Sequence, residues 1–192
     1  MAINYTVQPC NLQNVKRFIE TLHYSRSVNG IKVSYCFRLL DGSQMIGAAV
    51  FGQMSTTAWK KFSSRESDVL ELRRLVCVDE APRNTESFFI GAMLRWLRKQ
   101  TEVKTVVSYA DPNFGHVGTV YKASNFKHVG MSGKDYAFKD KETGKIHHSR
   151  ALRTKYNGDF KPFVKVLRQR LADGLLERIE LQPKHCYVYQ LR

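Results

Sequence analysis

Asp111 is followed at once by Pro112 and, ten positions later, by Tyr121. A carboxylate at that place can accept a hydrogen bond or a proton from a substrate amine. It can equally cap the helix that follows. Upstream, Arg73 and Arg74 interrupt an apolar run, Leu70 to Val78. A buried arginine needs an anion or an acceptor, so each is either a site residue or half of a salt bridge to Glu71 or Glu80. His23 and Tyr24 stand together after an amphipathic stretch. Either could stack on or orient a flat ring, and His23 could also ligate a metal, although a lone histidine more often does not. Trp59-Lys60-Lys61-Phe62 mixes aromatic and cationic side chains as a stacking or wedge contact on nucleic acid would; a solvated loop with one anchored tryptophan is the plainer reading.

Periodicity places these residues on elements. Asn11 can cap a helix with apolar positions Leu12, Val15, Phe18, Ile19 and Leu22, which ends at His23 and Tyr24. Residues 33–40 and 45–54 form a hairpin about Asp41-Gly42. The stretch 68–79 is a strand with Leu70, Leu72, Val76 and Val78 on one face. Arg74 shares that face and Arg73 opposes it, unless a bulge intervenes. A helix over 86–99, a buried strand over 105–110 and a short helix over 115–125 follow. Asp111 thus sits at a strand end, where sites gather in α/β sheets. Ser108 and Tyr109 flank it on opposite faces, so one of them lines the pocket. After residue 134 the pattern is less regular. It offers a charged turn over 139–145, a basic amphipathic helix stopped at Gly174, and a closing strand over 185–191. The order β-α-β-β-β-α-β-α-β, then a helix and a strand, is an α/β (α+β) class: a mixed sheet with helices on both faces. Residues 1–192 read as one domain, with 145–184 a basic helical insertion before the final strand.

Composition narrows the partners. The chain has 192 residues, 31 Lys or Arg against 17 Asp or Glu, and a net charge of +14. Residues 1–121 carry 15 basic and 10 acidic side chains and residues 122–192 carry 16 and 7, so the shorter part holds most of the excess. Such a balance favours a polyanion, nucleic acid first. Arg150, Arg153, Lys165 and Arg168, with Lys60 and Lys61, are the expected phosphate contacts; a merely solvated basic face is the alternative. No apolar run approaches the ~20 residues of a membrane span, and no secretory leader is visible, so the expected compartment is the cytoplasm. Cys10, Cys36, Cys77 and Cys186 lack the close spacing of a zinc site and read as reduced thiols. The oligomeric state stays open, a homodimer included.

The element order is similar to that of the GNAT acyltransferase superfamily. Leu72-Arg73-Arg74-Leu75-Val76-Cys77-Val78, with the loop and helix after it, resembles that superfamily's acyl-CoA strand and phosphate loop. The resemblance implies donor contacts from Val76, Val78, Arg83, Asn84 and Ser87, and a tyrosine, here Tyr121, that protonates a leaving thiolate. Tyr109-Ala110-Asp111-Pro112, the run from Gly115 to Phe126, His23-Tyr24-Ser25 and Lys184-His185-Cys186-Tyr187-Val188-Tyr189 resemble the Mom family of phage DNA-modification proteins, over nearly the whole chain. That resemblance implies transfer of an acetamide-like (carbamoylmethyl) group to N6 of adenine in duplex DNA, as protection from restriction. It also implies an extruded base, with catalytic roles for Asp111, Tyr121, Arg74, Arg73, His23 and Tyr24 and substrate contacts from Ser108, Tyr109 and Trp59.

One departure stands out. The superfamily loop reads Gln or Arg, then glycines at the fourth and sixth positions; here Arg83 is followed by Glu86 and Phe88. Glycine there lets backbone N–H groups approach a pyrophosphate, and a carboxylate repels one. The donor therefore remains open between acetyl-CoA and another acyl or glycyl donor, with a metal ion not excluded. An ordinary GNAT N-acetyltransferase acting on a protein or small amine is the competing function.

Overall fold

The computed structural model describes residues 5–55 and 57–192. The chain opens with β1 (Tyr5–Cys10) and α1 (Leu12–Leu22). The first turn of α1 is tied down by the Asn11 N–H, which donates to the Asn14 side chain at 3.1 Å. β2 (Val33–Asp41) and β3 (Gln44–Gly52) form the expected hairpin, with Gly42 at the left-handed φ of +58° that the tight turn needs. β4 (Val69–Cys77), α2 (Thr85–Gln100), β5 (Thr105–Ala110), α3 (Thr119–Ala123) and β6 (Lys127–Met131) follow. Residues 132–184 then build β7 (Asp135–Asp140), β8 (Ile146–His148), the short pair β9 (Lys155–Tyr156) and β10 (Asp159–Phe160), α4 (Pro162–Ala172) and β11 (Leu176–Leu181). The chain returns as β12 (His185–Gln190).

The main sheet runs β1-β2-β3-β4-β5-β12-β6. Among the described residues of this sheet only β4 and β5 are parallel, joined by the α2 crossover; the other pairs are antiparallel. The mixed sheet and its two helical faces agree with the sequence pattern. On one face Phe37, Leu39, Phe51, Leu70 and Leu72 pack against Phe89, Ile90, Met93 and Leu97 of α2. On the other, Cys36, Ala48 and Val50 receive Val15 and Ile19 of α1. Further along that face Trp59 and Phe62 lean on Met54, Val69, Val107 and Val188. The segment before β12 carries more strand than its polar sequence suggested: β11-β7-β8 form a second sheet, closed by Leu152, Leu167 and Leu176. These strands are short and largely exposed, so period-two alternation is faint in them. All four cysteines are free, three of them buried.

Two details position the site. The β3–β4 register slips beside Arg73, so Leu72 lies opposite Phe51 while Arg74 lies opposite Val50. This bulge reverses the strand's facing. Arg74 and Val76 therefore turn to the α1 face, away from Leu70 and Leu72, where simple alternation had put them together. Parallel pairing of β4 with β5 also stops at Leu72 opposite Ser108. Beyond that point the strands part, and the gap between them becomes a cleft. Helix 115–125 is shorter than its sequence suggested: a 3-10 turn at Pro112–Phe114 precedes α3.

Candidate active site

Two clefts open on either side of the parted strands. The first holds about 450 Å³ and the second about 410 Å³. Tyr24, Leu72, Arg73 and Tyr109 line both, so the clefts meet at these residues. Both volumes fall within the ~300–1,000 Å³ of small-molecule sites.

The clefts differ in charge. The first is walled by Asp79, Glu86 and Asp111 with Arg73 as its one basic residue of the Lys or Arg type. The second presents Arg73, Arg74, Lys134, Arg150 and Lys184 against Glu71 and Asp135. Asp135 is itself engaged by His148 at 3.1 Å. An anionic polymer is therefore attracted to the second cleft and repelled from the first.

Asp111 is buried and fully occupied. Its Oδ1 accepts the Asn113 N–H at 3.1 Å and the Asn113 amide at 2.8 Å, while Oδ2 meets Lys184 Nζ at 2.6 Å. It caps the 3-10 turn, as the plainer sequence reading had it. Burial raises its pKa, but Lys184 and Asn113 outweigh burial and the net shift is downward. Asp111 is thus a fixed anion, a weak base, and an anchor between β5 and the start of β12.

Tyr121 lines the first cleft, with Tyr187 at 5.4 Å and Phe126 at 5.7 Å between ring centres. Burial raises the pKa of its phenol, with the Ser108 hydroxyl drawing it partly back. At neutral pH it is a protonated donor. Tyr187 donates to the Val117 carbonyl at 2.7 Å and closes on Gly118, where a Cβ would collide with the hydroxyl-bearing edge of its ring. Gly118 also holds φ at +78°, so a glycine is required twice over at the entry to α3.

Of the two arginines, Arg74 is committed to backbone, its Nε donating to Ser27 O at 2.8 Å and its Nη1 to Arg73 O at 2.7 Å. It braces the loop after α1. Arg73 reaches both clefts, pairs with Glu71 at 2.9 Å and donates to the Ser55 hydroxyl at 3.2 Å. Of the two suggested partners, Glu71 is the one engaged. His23 is buried; its Nδ1 accepts the Ser25 N–H at 3.1 Å, which leaves the proton on Nε2. Burial, with Arg74 and His116 beside it, lowers its pKa to about 4. Tyr24 stacks on His23, Phe114 and His116 at 4.2, 4.5 and 5.0 Å, and burial and Asp111 push its phenol up to about 12. Among the described residues no three His, Cys, Asp or Glu side chains are grouped as a metal site requires.

Ser108 is sealed and donates to Leu72 O, whereas Tyr109 lines both clefts. Trp59 is anchored on the sheet, with Lys60 5.7 Å over its ring, so this loop offers Lys60 and Lys61 to solvent rather than a free aromatic wedge. Arg150 lines the second cleft. Arg153 donates to the Tyr136 hydroxyl, Lys165 pairs with Asp159 at 2.6 Å, and Arg168 covers Phe160 at 4.5 Å.

Val76, near the end of β4, reaches the first cleft, and Val78, just after it, packs on the core. Arg83 and Asn84 are exposed and do not line the cleft, and Ser87 is spent on Asn84 O at 2.9 Å. The residues this segment offers to the cleft are Asp79 and Glu86. A pyrophosphate does not fit there: two carboxylates stand where donors are needed. Sequence reasoning passed over Glu71 and Lys184 as site residues. Glu71 was legible as a charge between Leu70 and Leu72, but nothing in the sequence joins Lys184 to Asp111, 73 positions away.

The fold is that of GNAT acyltransferases. An N-acetyltransferase from Staphylococcus aureus Mu50 superposes with a TM-score of 0.53 at 13% identity, covering 98% of this chain and 99% of its own. Arabidopsis thaliana NAA60, solved in complex with acetyl-CoA, gives 0.55 at 12%, covering 97% and 98%. Within that fold the chain belongs to the Mom protein family, which it matches over residues 4–192. A relative, the Methylcarbamoylase mom of Escherichia phage Mu, is 32% identical over 120 residues, 60% of this chain and 49% of the relative. The matched stretch therefore spans about half the length of that protein. No helix among the described residues is long and apolar enough to cross a membrane.

Proposed function

We propose that this chain is a phage-type DNA-modifying transferase. It adds a small acyl-derived group, of the acetamide or carbamoylmethyl kind, to N6 of adenine in duplex DNA, in the cytoplasm of the host. The observation that carries this reading is membership of the Mom family, with a methylcarbamoylase among its relatives. The geometry supports it. A polyanion suits the basic second cleft, to which residues 132–184 contribute Lys134, Arg150 and Lys184. A base extruded from the duplex, as its shielded amine demands, would enter there and meet the donor at Arg73 and Tyr109.

The chain's own groups divide the work. Tyr121, protonated and enclosed, returns a proton to the leaving group in the first cleft. Asp111, locked by Lys184 and Asn113, keeps the end of β5 and the returning chain in register. Arg73 offers donors to the carbonyl oxygen of the group being transferred. Because Asp79 and Glu86 stand at the pyrophosphate position, no step here is assigned to coenzyme A. The same pair weighs against the second reading, an ordinary N-acetyltransferase using acetyl-CoA on a protein or small amine.

The test is restriction of DNA from cells that express the protein. Endonucleases whose sites contain adenine should leave that DNA intact and cut DNA from cells expressing Tyr121→Phe. Complete cutting in both, with soluble protein present, would overturn the reading.

A further inference from the structure

The pair Glu71 and Arg73 is left half-used. Glu71 Oε2 is taken by Arg73 Nη1 at 2.9 Å, and Arg73 Nη1 also serves Ser55. Among the described residues Glu71 Oε1, Arg73 Nε and Arg73 Nη2 have no hydrogen-bond partner. The two side chains are only 14% and 15% exposed. Even so, no side-chain polar atom in the described structure is both sealed from solvent and unpartnered. The free atoms therefore reach solvent in the space these residues line: Glu71 lines the second cleft alone, and Arg73 lies where the two clefts meet. One acceptor and a fork of donors stand there side by side, with the rings of Tyr24 and Tyr109 on the same walls. Burial raises the Glu71 pKa, with Arg73 opposing, so an incoming N–H would relieve a carboxylate short of partners. Asp111 offers nothing comparable, since both its oxygens are occupied.

We propose that Glu71 and Arg73 read the Watson–Crick edge of the extruded base, Glu71 Oε1 accepting from N6–H of adenine while the Arg73 guanidinium donates to N1. This deepens the proposed function and rests on it. The pattern, acceptor beside donor, matches the donor-then-acceptor edge of adenine. Hypoxanthine and guanine present the reverse, O6 and N1–H, and set acceptor against acceptor and donor against donor. Cytosine presents N4–H and N3, the same order as adenine on a smaller ring, so size alone must exclude it.

Thymidine oligonucleotides carrying one central adenine, hypoxanthine or cytosine test this by competition against a labelled duplex. The wild type should prefer adenine to hypoxanthine about tenfold or more, the scale of one bidentate base contact, with cytosine between them. Glu71→Gln should bring the adenine-to-hypoxanthine ratio to near one, a ratio taken within each variant so that a change in overall DNA affinity cancels. Arg73→Lys, which keeps the charge and loses the planar fork, serves as the second variant and should narrow the same ratio. A wild type that binds DNA but ranks adenine and hypoxanthine equally refutes the inference, as does an unchanged ratio in both variants. A wild type that binds no DNA refutes the proposed function instead, and the inference falls with it.

Discussion

Lys184 is the residue on which the site's charge balance turns. Its Nζ lies 2.6 Å from the Asp111 carboxylate, which is 4% exposed, whereas the lysine side chain is 40% exposed. Breaking a fully buried pair by removing one partner costs about 3–5 kcal/mol, because an unpaired charge remains. Solvent already screens this pair from the lysine side, and Asn113 still donates twice to Asp111. The discounted cost of Lys184→Ala is about 1–2 kcal/mol. For a chain of this size that lowers the Tm by about 2–8 °C. The pH dependence has a definite sign. Asp111 titrates below its ordinary value in the folded protein, so its stabilising effect is present above the unfolded pKa of about 3.9 and fades as the pH falls through the folded value. Thermal melts of the two proteins should therefore differ most near pH 7 and converge below about pH 4. Equal melting at pH 7, or a gap that persists undiminished in acid, would refute the argument.

Gly118→Ala combines a left-handed φ with a Cβ inside the Tyr187 ring, and should cost about 2–4 kcal/mol by urea titration, against little change for Gly133→Ala, which meets no atom within 4 Å. Replacing Lys134 and Arg150 together by alanine removes two cations from the second cleft. Duplex affinity should then fall, and the slope of log K against log salt should drop by about 1.8. His23, lowered to about 4, stays neutral at pH 6 while an unfolded chain would protonate it. Its C–H proton shifts should show no titration between pH 5.5 and 8, and the stability of the wild type should decline from about pH 6.5 down toward pH 4 in a way that His23→Gln lessens.

Much of the frame was legible in residue order. The Asn11 helix, the hairpin at Asp41-Gly42 and the α2 stripe of Phe89, Ile90, Met93 and Leu97 are strong local periodicities, and the structure contains each. Simple alternation failed at Arg73. A bulge is set by the neighbouring strand, not by β4 alone, and it decided which arginine faces which side. The site was legible in its residue types and less so in its pairings. Asp111 and Lys184 meet only because β12 inserts between β5 and β6, a tertiary event with no local signature. The exposed strands β7, β8 and β11 were faint for the opposite reason: with little buried surface, the sequence there carries little pattern.

The central claim, that the parted strands house adenine modification, is tested most directly by mass spectrometry of nucleosides. DNA would be digested from cells expressing the wild type, Asp111→Ala or Tyr121→Phe. The account predicts an adenine-derived nucleoside heavier than deoxyadenosine in the wild type, greatly reduced or lost in both variants. Deoxyadenosine unchanged in the wild type, with the protein soluble and folded, would contradict it.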